Sequence, residues 1–171
     1  MSDDARPSAQ LRPDCTRCCG LCCVAPPFDA AQGFAYDKPA HVACRHLRAD
    51  ARCGIHDELA ARGFPACALF DCHGAGQRVT QQLFGGRPWT ESRELAQRMF
   101  AAYGKYRALH ELMALLETAA RRVSAGDAAR LRERRRLIDS LCESGAALEA
   151  TVRVEAIRTD TLRLLRALLV E

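Results

Sequence analysis

Nine of the ten cysteines in this chain of 171 residues fall between Cys15 and Cys72, in the pattern C-x2-C-C-x2-C-C-x20-C-x8-C-x13-C-x4-C. Five of them crowd into "CTRCCGLCC", residues 15–23; only Cys142 lies elsewhere. Thiols at this density can pair as disulfides, hold metal or do redox chemistry, and each choice constrains the fold. The start of the chain, "MSDDARPSAQLRPD", is polar and lacks the apolar run of a secretory signal. No stretch approaches the roughly 18 apolar residues of a membrane span. A cytoplasmic location is expected, where thiols stay reduced and structural disulfides are rare. A redox C-x-x-C pair normally sits on a βα unit, and no strand run of that kind is evident. Four-sulfur metal sites match the pattern better. Thiols two to four apart close a turn onto the ion, and further ligands arrive from elsewhere in the fold. Zn(II) or an iron–sulfur cluster suits such a site, as does Cu(I) on grounds of softness.

Local geometry adds a second constraint. If residues 15–23 were helical, Cys15, Cys18 or Cys19, and Cys22 would share a face. Cys22 and Cys23 would point about 100° apart and serve two ions more easily than one. Two neighbouring sites, or one multinuclear site, are expected, with Gly20 letting the backbone leave the helix. The apolar residues of this region, among them Leu21, Phe28, Leu59 and Phe64, are scattered and make a marginal core. A structural zinc site contributes roughly 10–16 kcal/mol of apparent folding free energy. A whole domain is stable by about 5–15 kcal/mol. Metal would therefore decide whether this part folds.

Glycine and proline concentrate before Thr90, and no proline follows it. The expected organisation is a flexible tail (1–14), a Cys-rich metal-binding module (15–90) and a helical region (91–171). The expected fold class is mainly α, a loop-rich module packed on a C-terminal helical hairpin or three-helix region. Leu95, Met99, Ala102, Tyr106, Leu109, Met113 and Leu116 form one amphipathic stripe, with Thr90 as its N-cap. Gly126 and Asp127 read as the stop and start between two helices. The second helix turns Leu131, Ile138 and Leu141 inward and ends at Gly145. A third runs from about Ala146 to Leu169. Within the module, "GIHDELAARGFP" predicts a short helix with Asp57 and Glu58 in its first turn, Gly63 at C′ and Pro65 as the stop. Cys53 would precede that helix and Cys67 follow it.

"CTRCCGLCC", "CRHL", "CGIH" and "RGFPAC" together resemble the bacterial zinc- or iron-chelating CxxCxxCC domain. With "FGGRPW" at 84–89, the chain is closest to the Cys-rich N-terminal region found ahead of pentapeptide repeats. The resemblance covers about residues 15–120, and no A-(D/N)-L-x-x repeats follow. It implies Cys15, Cys18, Cys22 and Cys23, together with Cys44, Cys53, Cys67 and Cys72, as ligands to zinc or iron. Cys19 falls on a variable position of the pattern. The resemblance supplies a metal and no reaction.

Eight thiolates around two Zn(II) ions would carry a net charge of about −4, which a compact fold holds only with N–H···S bonds and nearby cations. Arg17, Arg45, Arg48 and Arg52 are placed for that role. His46, His56 and His73 lie near cysteines and are expected beside the site rather than on the metal. Cys142 reads as a small buried hydrophobe. The cations of the chain are 23 arginines and two lysines, and the formal net charge is only +4. "RLRERRR" at 130–136 is interrupted by acid and lacks aromatic platforms, so it reads as a solvated face rather than a nucleic-acid surface. No acid–base pair or activated nucleophile stands out, so an enzyme is not expected. The leading reading is a metal-binding structural, regulatory or interaction module whose helices offer a protein-partner surface. An iron–sulfur protein of electron transfer and a Cu(I) buffer are the alternatives.

Overall fold

The computed structural model describes residues 8–149 and 153–169. Six α-helices carry it, and among the described residues extended pairing is limited to two isolated bridges, Phe28 with Lys38 and Leu47 with Cys53. The fold is mainly α, as expected. In chain order the helices are α1 (Leu21–Val24), α2 (Pro65–Leu69), α3 (Ala75–Arg78), α4 (Arg93–Ala119), α5 (Ala125–Glu143) and α6 (Val154–Leu169). The chain divides into two compact units. One is Pro13–Gly104, and the other combines the residues up to Arg12 with those from Lys105 onward.

In the second unit the helical period does what the sequence requires. Tyr106, Leu109, Met113 and Leu116 on α4 are all buried, as are Leu131, Ile138 and Cys142 on α5. Tyr106 donates its hydroxyl to the Cys142 carbonyl (2.8 Å), and Arg135 pairs with Glu117 (2.7 Å), so α4 and α5 run antiparallel. Arg134 reaches α6, donating to Thr161 Oγ1 at 3.1 Å. Part of the arginine-rich face therefore turns inward instead of lying in solvent, because Glu117, Asp139 and Thr161 supply acceptors there. Leu141 is only half-buried.

Several expected boundaries shift. Ser92, not Thr90, caps α4, its Oγ accepting from Leu95 N–H. Thr90 is taken up in a 3-10 turn, Trp89–Glu91. Gly126 and Asp127 lie inside the first turn of α5, whose N-cap is Ser124, accepting from the Asp127 N–H. A serine oxygen three residues ahead of an N–H fits that role, which the glycine lacks the side chain to fill. Gly145 does close α5 in the left-handed conformation, φ 75°. The segment Ala146–Leu148 is a separate 3-10 turn, so the third helix starts at Val154; Val152, within the expected span, lies outside the described residues. Residues 8–12 of the expected tail are anchored. Leu11 is completely buried, Glu117 accepts from the Ser8 N–H (3.1 Å), and Arg135 donates to Ser8 Oγ (3.0 Å).

The unit Pro13–Gly104 is built from short turns around two small cores. Leu95, Met99 and Ala102 of α4, with Leu21, Val24 and Val79, are buried. Phe28, Phe64 and Cys44 form a second cluster, with Phe34 stacked on Phe28 at 4.4 Å between ring centroids. The expected helix over "GIHDELAARGFP" is only a 3-10 turn, His56–Glu58. Gly63 then turns left-handed (φ 83°), and Pro65 starts α2 rather than merely stopping its predecessor. Proline suits N1 because its missing N–H would have no helical partner there. Cys67 consequently sits within α2.

Candidate metal centre

The opening stretch is not one helix. Cys15–Arg17 is a 3-10 turn capped by Asp14, whose carboxylate accepts from Thr16 N–H (2.9 Å). Gly20 then adopts φ 75°, a left-handed conformation that costs glycine little, and α1 begins on the next residue. That break separates Cys15, Cys18 and Cys19 from Cys22 and Cys23. A Cβ on Gly20 would also fall 2.9 Å from the Ala51 carbonyl oxygen, so the turn depends on glycine twice over.

Backbone N–H groups converge on several sulfurs. Cys18 accepts from Gly20 and Leu21, Cys53 from Ile55, and Cys72 from Gly74 and Gly76. These bonds favour the thiolate and oppose the cost of burial. Burial wins in the thiol form: it pushes Cys18 up to about 12 and Cys67 up to about 11. It also raises Cys15, Cys53 and Cys72. Cys22 lies well above the ordinary thiol range, first because of its hydrogen bond with Cys23 and then because of burial; the two sulfurs are 3.9 Å apart.

Cys22 is the common neighbour. Its charge acts on Cys15, Cys18, Cys53, Cys67 and Cys72, and it adjoins Cys23. Cys44 acts on Cys53 and Cys67 and binds its backbone N–H to the Cys23 carbonyl (2.9 Å). All eight cysteines named from the sequence are thereby gathered in one unit. Among the described residues, no three His, Cys, Asp or Glu side chains are drawn closely enough to hold an ion as they stand. Closing the set means removing thiol protons and supplying positive charge, which a thiophilic cation does in one step. A set of soft donors with N–H groups already aimed at several of them fits zinc or iron.

Cys19 turns away from this set. Its sulfur lies 3.4 Å from Thr80 Oγ1 and 3.4 Å from Met99 Sδ, in the buried core, and its carbonyl accepts from Trp89 Nε1. The histidines take other partners. His46 places its ring edge-on to Phe64, His56 lies beside Asp57, and His41 stacks on Phe100. His73 has φ 47° and sits near Asp71, while His110 is buried on α4.

Three contributors were not singled out from the sequence. Tyr36 donates its hydroxyl to the Cys44 sulfur at 3.2 Å, and the Arg45 guanidinium lies 4.1 Å over the Tyr36 ring. Gly76 passes directly under Cys18. Lys38 is only 4% exposed. Its ammonium donates to the carbonyls of Pro26 (2.6 Å), Val42 (2.8 Å) and Pro39 (3.1 Å), with the Phe28 ring 4.5 Å away. Burial lowers its pKa, while the Cys44 and Cys23 sulfurs act the other way. One signal was available: a lysine is rare in a chain that otherwise uses arginine.

No family model matches the chain. No solved structure matches it. Over 109 residues, 64% of this chain, it is 40% identical to the uncharacterized protein YybG of Bacillus subtilis (strain 168). The chain spans about 39% of that relative's length.

Proposed function

We propose that Pro13–Gly104 is a metal–thiolate module that takes up zinc or iron through Cys15, Cys18, Cys22 and Cys72 together with Cys23, Cys44, Cys53 and Cys67. One observation carries this reading: across 57 positions of sequence, Cys22 neighbours Cys15, Cys18, Cys23, Cys53, Cys67 and Cys72, and Cys44 joins them through Cys53, Cys67 and its N–H bond to the Cys23 carbonyl. A mostly half-buried cluster of neutral thiols has no evident packing purpose, since aliphatic residues fill such space better. The resemblance to the CxxCxxCC domain supports the same donor set. The metal is held for structure or regulation, in a reducing cytoplasm, and the helical unit offers the surface for a protein partner. Among the described residues no helix is long and apolar enough to cross a membrane.

The test is anaerobic purification without added metal, followed by elemental analysis and a visible spectrum of the same sample. Zinc without colour, lowered in a Cys22→Ser variant, supports the module as stated. Iron with acid-labile sulfide and a brown colour assigns the same thiols to an iron–sulfur protein. Many copper ions per chain would indicate a Cu(I) buffer. Absence of any metal, with all ten thiols titratable, rejects the reading.

A further inference from the structure

We infer that the eight thiols divide into two four-sulfur sites, Cys15/Cys18/Cys22/Cys72 and Cys23/Cys44/Cys53/Cys67, each for one divalent thiophilic ion, with the boundary between adjacent residues Cys22 and Cys23. This rests on the metal-binding reading above.

The two sets are built on different scaffolds. Cys18 and Cys72 meet at Gly76. A Cβ built there would stand 2.7 Å from Cys18 Sγ, and the Gly76 N–H donates to Cys72. Cys15 is held on the same strip of chain, since the Asp14 N–H donates to Gln77 Oε1 (2.8 Å) and Gln81 donates to the Arg17 carbonyl (2.9 Å). The thiols that act most on it are Cys22 and Cys72, with Cys53 of the other set also within reach. The other set has aromatic walls. Cys44 is part of the Phe28–Phe64 cluster, and Cys23 and Cys67 pack against it. Cys53 is tied to this side by the bridge between Leu47 and Cys53, and Leu47 N–H in turn binds the Cys44 carbonyl (2.9 Å).

Tetrahedral zinc takes four thiolates, so eight fill two ions without remainder. Adjacent side chains on α1 leave the helix about 100° apart; Cys23 packs against the Phe28 cluster, and Cys22 is the thiol that acts most on Cys72. The 3.9 Å between their sulfurs makes the sites neighbours. In binding, each thiol passes its proton to solvent as its metal–sulfur bond forms, and no electron is transferred. Access differs as well: Cys15 is the exposed cysteine, whereas Cys44 is buried. The Cys15 site should release its ion first.

The experiment is titration of the full, reduced, metal-free chain with 113Cd(II), read by cadmium NMR and by bound metal after desalting. Wild type is expected to take two equivalents and give two resonances. Cys72→Ser and Cys22→Ser should each fall to one equivalent and lose the same resonance. Cys67→Ser and Cys23→Ser should fall to one and lose the other. A limiting amount of chelator should remove the Cys15-site resonance first, a readout on wild type that stands even if a variant fails to fold. If Cys22→Ser and Cys23→Ser lose the same resonance, or either loses both, or wild type holds a single ion, the partition is wrong while metal binding stands. No cadmium uptake by wild type overturns both.

Discussion

The sulfur of Cys18 occupies the space over Gly76 where any other residue would begin its side chain: a Cβ there would lie 2.7 Å away. Contacts that short do not persist, so the thiol or the α3 backbone must move. Gly76→Ala is expected to cost about 1–3 kcal/mol, the usual range for overpacking, and to lower bound metal by one equivalent. Gly104→Ala serves as the comparison. It lies on α4 with nothing within 4 Å of the added methyl. It should stabilise by about 0.5–1 kcal/mol through helix propensity. Urea unfolding with metal analysis of both variants checks this; equal effects would reject it.

Lys38 holds the 26–42 loop from inside, with three carbonyls within 3.1 Å of its ammonium. Lys38→Met removes the donor and leaves those oxygens unsatisfied. A loss of about 2–4 kcal/mol is expected, given about 1–3 kcal/mol for each buried group left without a partner and partial relaxation. Lys105→Met, at a half-buried lysine whose bond to the Leu148 carbonyl (3.1 Å) faces solvent, should change stability by no more than about 0.5 kcal/mol. Denaturant midpoints at fixed metal concentration give the comparison, and a midpoint unchanged by Lys38→Met would refute the caging role.

How much of this could be read in the sequence follows the range of the interaction concerned. The α4 stripe from Leu95 to Leu116 was legible because helical burial repeats locally, every three or four residues. That the cysteines from Cys15 to Cys72 belong to one unit was legible, because thiols at such spacing are rare without a common task. The fate of Cys19 was not, since it depends on Thr80 and Met99, some 61 and 80 positions away. Gly76 and Lys38 were equally hidden, as the first matters only under Cys18 and the second only among carbonyls of a folded loop. Caps shifted by two or three residues, from Thr90 to Ser92 and from Asp127 to Ser124, because several capping residues near a helix start compete on geometry that spacing does not fix.

Acidity should act in opposite senses with and without metal. In the metal-free chain, Cys18 and Cys67 are raised from 9.0 to about 12 and about 11. The folded state thus binds more protons than the unfolded one above pH 9, and stability must fall as pH rises toward 11–12. Metal uptake reverses the sign, because each coordinating thiol releases a proton and affinity rises with pH. Calorimetric zinc titrations in buffers of different ionisation enthalpy should show release of several protons per ion at pH 7. Zinc affinity should drop at least about tenfold per pH unit on acidification from there. A pH-independent affinity would mean that thiols are not the ligands.

Cys142 belongs to the helical unit, and its role there is packing. Its side chain is buried and its carbonyl accepts from Tyr106 at 2.8 Å. Tyr106→Phe should cost about 0.5–1.5 kcal/mol, the net value of one hydrogen bond, because the Cys142 carbonyl still accepts from the Gly145 N–H (3.4 Å). Cys142→Ala should cost about 1–2 kcal/mol through the small void it leaves. Neither should change metal stoichiometry, whereas Cys18→Ser should. The check is thermal unfolding beside elemental analysis of the three variants. Loss of metal in Cys142→Ala would place the tenth thiol in the ligand set and undo the division of labour between the two units.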